Sequence, residues 1–509
     1  MGITSFFPWF QKTFSKYVTY IHHNESYNNI DNVLVDMNGI FHPIAQKVFR
    51  YGKYNKPLLN KTNYTPTHKQ FYEEVCKEID KIVTLIPPNK RLILCVDGVA
   101  PVAKQIQQRQ RRYKSKPESD FDPNSLTPGT ELMYNLCNYI SDYIQKYPFE
   151  VIFSSSSVPG EGEIKLINFI KYYSDNSDSS AIYGLDADII LLSLCALSNN
   201  KKIFVVRERD TDYTIVNVSL VRDNLVDKLK WGDNYSSKNL IIDFVFMCFL
   251  VGNDFIKRAP GIDIITGSID LLINIYKETC RITGHLTSNN KFNQESVKLF
   301  FSKLGDIEQY LFQIKIQNIN KYIEDKLFNK YIINDTYLDL EEYKKEYYLI
   351  KFKDSPEKIV KEYVEGLEWV LGYYTNGLPS WKWYYPYNYS PFLSDIAKSD
   401  FNSVSYGRTT PYDQMYQLLT VLPPHSMNLL PSPLNKIYLS FPLLFPKEVN
   451  IDNSGKRYEY EGEVILPAIN SPELLNVYNE ELKKIGDIPF NDTGKSISIL
   501  GGNIEYIEL

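Results

Sequence analysis

Three short β-rich runs in the first half of the chain each close on an acid. "NVLVDMNG" (32–39) supplies Asp36, "RLILCVDG" (91–98) supplies Asp97, and "AIYGLDAD" (181–188) supplies the pair Asp186 and Asp188. "VPGEGEIKLINFI" (158–170) adds Glu161 and Glu163 beside glycines, just ahead of an apolar helical pattern. "FLVGNDF" (249–255) sets Asp254 in a Gly-Asn turn after a buried-looking run. Taken singly, each acid reads as a helix cap or a turn residue. Together they are seven carboxylates that can converge on one cleft, because open α/β sheets bind ligands beyond the carboxyl ends of their strands. Seven carboxylates in one cleft need cations, since like charges otherwise raise one another's pKa until some are neutral. Oxygen donors without a Cys/His set favour Mg²⁺, with Mn²⁺ as its substitute, over zinc. Two such ions about 4 Å apart suit in-line attack of water on a phosphodiester: one readies a hydroxide, the other stabilises the leaving oxygen.

A second chemical signal lies between these acids. "KQIQQRQRRYKSK" (104–116) holds six basic residues, and no acid occurs from 98 to 117, although the chain has a net charge of -5. If 104–112 is helical, Lys104, Gln108, Arg111 and Arg112 fall at i, i+4, i+7 and i+8, on one face about 100° wide. That face has no apolar residue, and no acid for the i,i+4 pairs that solvated helix faces ordinarily make. It suits a phosphate, which Arg grips with two donors. Arg109, Lys114 and Lys116 fall off that face and read as solvated, or as loosely tracking a backbone.

These residues need a scaffold. Strand-like runs, including "FEVIFSSSS" (149–157), alternate with helical stretches such as Tyr72–Thr84 and Glu131–Tyr147. The alternation predicts an α/β fold: a mostly parallel central sheet flanked by helices. From about residue 265 the pattern becomes helical, with Glu295–Tyr331 and Leu340–Tyr374 as long Lys/Glu/Tyr-rich segments. A Pro- and aromatic-rich stretch (379–433) and mixed short strands follow. The division expected is a catalytic α/β domain over 1–265 and a helical and mixed accessory region over 266–509 that packs on the core and narrows the site's entrance. At 509 residues the chain suffices for two or three sizeable cores.

The bulk composition narrows the function classes. With 43% hydrophobic and 23% charged residues the chain reads as soluble and globular, and its net charge argues against coating nucleic acid by charge alone. The abundant tyrosine (40) reads as compositional bias. Six scattered cysteines without a C-x-x-C pair indicate neither a disulfide framework nor a zinc module, and point to a reducing compartment. No signal peptide or membrane-spanning run is visible; the longest apolar run, Ile241–Gly252, is interrupted by Asp243. Met1-Gly2 invites a myristoylation reading, but Phe6 stands where the motif wants Ser or Thr.

"DMNGIFHP", "VDGVAPVAKQIQQRQRRY", "TPGTELM", "PGEGEIK", "YGLDADIILL" and "FLVGNDF", in this order, resemble the conserved blocks of the XRN family of 5′→3′ exoribonucleases. "EGLEWVLGYYTNGLPSWKWYYPYNYSPFLSDI" (365–396) and "QLLTVLPPHSMNLLP" (417–431) are similar to the family's second conserved region. The resemblance implies a core of the PIN/flap-nuclease kind. It implies that Asp36, Asp97, Glu161, Glu163, Asp186, Asp188 and Asp254 are the catalytic acids that hold two Mg²⁺ ions. It also implies that Lys104, Gln108, Arg111 and Arg112 form the 5′-phosphate pocket, and that His42 stacks on the terminal base with Trp381 or Trp383 as its partner. The activity so implied is processive 5′→3′ degradation of single-stranded RNA bearing a 5′-monophosphate, to nucleoside monophosphates, in RNA or mRNA decay. A flap-type DNA nuclease is the competing enzyme, and a non-catalytic RNA-binding scaffold the competing class. The sequence departs from the family at Lys257-Arg258-Ala259, where a Pro-His-Leu type of sequence is usual, and at Asn388, where a His is common. It also reads as a short form, without the long C-terminal extension of the large cytoplasmic members or the zinc knuckle of the nuclear ones. A cytoplasmic monomer is the expectation, with the nucleus as the alternative location and the protein partners unknown.

Overall fold

The computed structural model describes residues 5–22, 25–54, 66–115, 120–197, 201–209, 212–469, 471–486, 488–491 and 493–509. Met1, Gly2 and Lys116, singled out above, lie outside the described residues. The first half runs α1 Phe6–Thr13, β1 Val18–His22, β2 Ile30–Asp36, α2 Met37–Phe49, α3 His68–Leu85, β3 Pro88–Cys95, α4 Val102–Lys114, α5 Glu131–Tyr143, β4 Glu150–Ser154, α6 Gly162–Asn168, β5 Ser179–Tyr183, α7 Asp188–Ala196, β6 Lys202–Glu208, β7 Asp212–Asn217, α8 Val218–Leu229 and α9 Ser237–Phe249. Short polar side chains set the helix starts: Thr67 and Gln70 form a capping box on α3, while Asp36, Thr130, Asn217 and Ser236 cap α2, α5, α8 and α9.

Among the described residues the main sheet has nine strands. Its centre, β6-β5-β2-β3-β4, is parallel as expected, and its edges are antiparallel: β7 pairs with β6 and β1 with β7, while a C-terminal hairpin, Ser496–Leu500 and Asn503–Ile507, flanks β4. The central strands read as unbroken apolar runs because both faces are buried. Leu34, Ile93, Ile152 and Ile182 face one core cluster, whereas Val33, Val35, Leu92, Leu94, Val151 and Phe153 face the other. That division follows from the two-residue period of a strand.

After the turn Ile264–Thr266 the chain becomes helical: α10 Ser268–Thr283, α11 Gln294–Asp306, α12 Glu308–Gln317, α13 Lys326–Lys330, α14 Leu340–Lys351 and α15 Pro356–Thr375. The two long segments expected from composition are broken. Glu295–Tyr331 spans three helices, because Glu308 turns inward to bind the backbone N–H groups of Leu393 and Ser394, and Asp325 starts a new helix as a cap. Leu340–Tyr374 breaks at Ser355-Pro356, where Ser355 caps α15 and Pro356 takes its first position. Glu131–Tyr147 likewise ends its α-helix at Tyr143 and tightens into a 3₁₀ turn. The second region is not an independent body. It supplies two strands to the main sheet, and one core cluster runs from Phe6 to Phe401 through Trp369, Tyr373 and Tyr374 of α15. Among the described residues, no helix is long and apolar enough to cross a membrane.

The loop after β3 is pinned to the loop that leads into α6: Gly98 N–H donates to the Gly160 carbonyl (2.9 Å) and Gly160 N–H to the Val99 carbonyl (2.8 Å). A Cβ on Gly98 would stand 1.8 Å from the Val158 carbonyl oxygen, so the two loops approach only because residue 98 has no side chain. Gly98→Ala is therefore expected to destabilise the fold by at least about 1–3 kcal/mol, read as a lower Tm. An unchanged Tm would contradict this packing.

Candidate active site

Parallel pairing brings the acid-bearing strand ends together. β2 lies between β3 and β5, with Asp36 opposite Cys95 and Val35 opposite Tyr183, so Asp97 and Asp186 follow just beyond the same edge. Asp36 accepts from Asn38 N–H at 3.2 Å, and the Asn38 side chain accepts from Asp97 N–H at 2.9 Å. Asp97 in turn accepts from Gly162 N–H at 2.6 Å. A Cβ at position 162 would stand 3.4 Å from an Asp36 oxygen, 3.3 Å from an Asp97 oxygen and 3.0 Å from the Cys95 carbonyl, so the glycine lets α6 start against both acids. The Lys104 ammonium lies 2.5 Å from Glu161 and 2.8 Å from Asp254. Two tyrosines of α15 reach in from the second region: Tyr373 donates to Glu161 at 2.6 Å and Tyr374 to Asp188 at 3.2 Å.

The charges perturb one another across this cluster. Burial, then Asp97 and Asp186, push the Asp36 carboxyl up to about 8. Burial raises Glu163 well above the usual carboxylate range, with Glu161, Asp186 and Asp188 adding to it and Lys104 opposing. Glu161 is also raised, burial outweighing its bond to Lys104. Asp254 goes the other way: burial is overcome by Lys104, and its pKa falls. Lys104 is driven well above its usual range, since Asp254, Glu161 and Glu163 overcome burial.

The donor set fits a hard divalent cation, being all oxygen and short of positive charge. The side chains are nonetheless not drawn into a cage: among the described residues no group of three or more His, Cys, Asp or Glu stands ready to hold a metal ion. The reason lies in their partners. Lys104, the two tyrosines and the N–H groups of Asn38 and Gly162 occupy carboxylate oxygens that a cation would claim.

Residues 102–114 are helical. Lys104 points into the acids, while Arg112 is buried one side away, donating to the Thr127 hydroxyl at 3.0 Å and lying 3.5 Å from the Gln108 side-chain oxygen. Arg111 stays exposed. Burial lowers Arg112 to about 9, with Arg111 adding repulsion. His42 on α2 belongs to the same neighbourhood: burial, then Arg111 and Arg112, lower its pKa to about 3, so its ring is neutral. The Trp381 carbonyl accepts from Val102 N–H at 2.9 Å, which places that residue at the start of α4. Trp383, half-buried, stacks on Trp369 at 5.1 Å and packs over Gly366.

The reading of Arg109 and Lys114 as solvated is overturned. Arg109 is buried and donates to the Pro467 carbonyl at 2.7 Å and to that of Leu444; Lys114 donates to the carbonyls of Tyr460 (2.9 Å) and Gly462. The second region covers that side of α4, and its carbonyls replace water. Sequence reasoning also missed Tyr373, Tyr374 and Lys165. The tyrosines lie in the "GYYTNG" part of a block recognised above, but nothing in that block says that they meet Glu161 and Asp188. Lys165 is fully buried and donates to the carbonyls of Val96 (2.8 Å), Val158 (2.7 Å) and Ser155 (3.3 Å), tying the loops that carry Asp97 and Glu161. Its place in "PGEGEIK" was the available signal.

The family model for the XRN 5'-3' exonuclease N-terminus matches residues 1–120 and 115–209, and that for the Xrn1 helical domain matches 234–342 and 315–486. The chain belongs to the XRN family. The 5'-3' exoribonuclease 1 of Homo sapiens is 26% identical over 95% of this chain and 34% of its own length. The namesake from Saccharomyces cerevisiae is 25% identical over 95% of this chain and 43% of its own. The chain thus spans well under half the length of these two XRN relatives. Among solved structures, the catalytic core of Rad2 in complex with DNA substrate covers 66% of this chain and 87% of its own, at 16% identity and a TM-score of 0.34.

An acid whose pKa is raised by folding stabilises the fold below its ordinary pKa and ceases to do so as pH climbs through the raised value. For Asp36 that window runs from the usual 3.8 to about 8. Without divalent cations, Tm is therefore expected to fall across this window, and Asp36→Asn to flatten the fall and raise Tm at its alkaline end. Coincident, flat profiles for the two proteins would contradict a buried, crowded Asp36.

Proposed function

We propose that this chain is a Mg²⁺-dependent 5′→3′ exoribonuclease that degrades single-stranded RNA carrying a 5′-monophosphate to nucleoside monophosphates. The observation that carries the reading is the joint placement of the acid cluster and a cationic helix, with Lys104 linking them through Glu161 and Asp254. Asp36, Asp97, Glu161, Glu163, Asp186, Asp188 and Asp254 would hold two divalent ions, which supply an activated water and neutralise charge on the phosphodiester.

The chain's own residues set the substrate. Gln108, Arg111 and Arg112 take a terminal phosphate, and a guanidinium already buried holds it with little competition from water. His42, kept neutral, offers a flat face to the first base without repelling Arg111 or Arg112, and Trp381 is the partner on the other face. Lys104 pairs with acids while they lack cations, and in their presence is free to turn toward phosphate. A pocket built to grip one terminal phosphate disfavours a 5′-triphosphate, so decapped or cleaved RNA is the substrate we propose. Stacking accepts every base, which suits processive decay. The free cysteines, five of the six buried, accord with a reducing compartment, and we place the protein in the cytoplasm as a monomer.

With Mg²⁺, 5′-monophosphorylated RNA is expected to be degraded faster than 5′-triphosphorylated or 5′-hydroxyl RNA, and faster than DNA of the same sequence. Equal rates on all of them would refute the reading. Arg112→Ala should cut the 5′-monophosphate preference by about 10–100-fold, the worth of one charge-assisted hydrogen bond. Asp186→Ala combined with Asp188→Ala should lower degradation by more than ~100-fold and spare RNA binding in a mobility-shift assay; degradation at the wild-type rate would remove these acids from the mechanism.

A further inference from the structure

A cavity of about 530 Å³ opens beside the acid cluster and shares only Asp254 with it. None of Lys104, Gln108, Arg111, Arg112, His42 or Trp381 lines it, so it is separate from the terminal-phosphate pocket. Its volume lies within the usual range of about 300–1,000 Å³ for ligand sites. Seven cationic and five anionic side chains line it, and the anions are largely committed. Glu463 pairs with both Lys257 and Lys456 at 2.8 Å, and Asp263 takes Arg258 at 3.2 Å and the Tyr322 hydroxyl at 3.0 Å.

Three cations are left over. Among the described residues Arg207, Lys315 and Arg457 have no carboxylate within ion-pair distance. Arg207 stacks on Phe7 at 3.9 Å, is near enough to Asp186 to feel its charge, and keeps one buried guanidinium nitrogen without a hydrogen-bond partner. Lys315 stands 4.5 Å over the Phe328 ring, and burial holds its pKa down to about 8. The buried Nδ2 of Asn253, also on the wall, has no partner either. A wall of unpaired cations and an orphaned donor costs free energy that an anion would relieve.

The rim indicates what kind of anion. Tyr460 lines the cavity, and its ring stacks on that of Tyr458 at 5.1 Å and 9°; both are exposed, at 68% and 49%. Exposed stacked rings beside free cations are the two elements that grip single-stranded nucleic acid without reading its sequence. Polarity gives the direction. With the 5′ end at Arg111 and Arg112 and the reacting phosphate among the acids, the rest of the strand leaves past Asp254, where this cavity opens.

We propose that the cavity is a second phosphate subsite, in which Arg207, Lys315 and Arg457 hold backbone phosphates on the 3′ side of the scissile linkage and the Tyr458–Tyr460 pair stacks an incoming base. Lys257 and Arg258, the departure from the family's usual sequence, pair with Glu463 and Asp263 on this wall and so leave the other three cations free for an anion. The inference rests on the nuclease reading for the strand's polarity, but its phosphate and stacking contacts are testable without catalysis.

The test compares wild type, Lys315→Met combined with Arg457→Ala, and Tyr460→Ala, each binding a 5′-phosphorylated RNA decamer and dinucleotide in chelator. The double variant is expected to bind the decamer about tenfold less tightly, with its log K against log[salt] slope shallower by about 0.7 per lost contact. Tyr460→Ala should also cost about tenfold on the decamer. Dinucleotide affinity should be equal in all three proteins, which also reports that they are folded, and Arg457→Lys should restore decamer binding. Unchanged decamer affinity and slope would overturn the proposal, as would an equal loss for decamer and dinucleotide. So would loss of adenosine monophosphate binding with the decamer unaffected, which would make the cavity a free-nucleotide site. If the wild type shows no 5′-phosphate preference but the decamer losses appear, the nuclease reading falls and the subsite stands.

Discussion

Asp36 and Asp97 meet over Gly162 where β2 and β3 end, and the repulsion among the acids gathered there governs what can pack around them. Burying carboxylates side by side drives their pKa upward, as at Asp36 and Glu163, and only opposing charge or donated hydrogen bonds hold them down. Lys104 supplies the charge, and its effect is uneven: it dominates at Asp254 and loses to burial at Glu161. Backbone N–H groups and tyrosine hydroxyls supply the rest. Each of these donors holds only one or two oxygens, so the balance is spread over several weak partners.

That balance ties the two halves of the chain together. Tyr373 and Tyr374 come from α15, beyond the main α/β region, yet bind Glu161 and Asp188. Gln417, deeper still in the second region, accepts from Ala100 N–H at 2.7 Å and steadies the loop between Asp97 and α4. The shared core and the C-terminal hairpin beside β4 extend the dependence to packing. A loosening of the second region would therefore expose the acids as well as the helices that cover them.

Helix α4 is used on two sides with different physics. Lys104 lies among the acids, and Arg111 and Arg112 are near enough to His42 to lower its pKa. Arg109 and Lys114 lie toward the second region, where they donate to its backbone carbonyls. One short basic segment thus serves both the acid cluster and the assembly of the two regions. Counting its charges would not separate the two uses.

The positions of Asp36, Asp97, Asp186 and Asp188 at strand ends were legible because a buried strand is an apolar run and a parallel sheet aligns its carboxyl ends. The helical face of α4 was legible for a similar reason, since its period is local. The parallel centre of the sheet followed from strand–helix alternation, whereas its antiparallel edges and the return of residues 496–507 did not, because pairing between distant segments leaves no local period. Helix ends inside 295–374 were missed where a buried acid or a Ser-Pro cap overrode propensity. The partners of Arg109, Lys114, Tyr373 and Tyr374 were decided only by tertiary structure. A side chain's type fixes what it can bind, but the partner that reaches it through folding decides whether a cation is solvated, cross-linking or free.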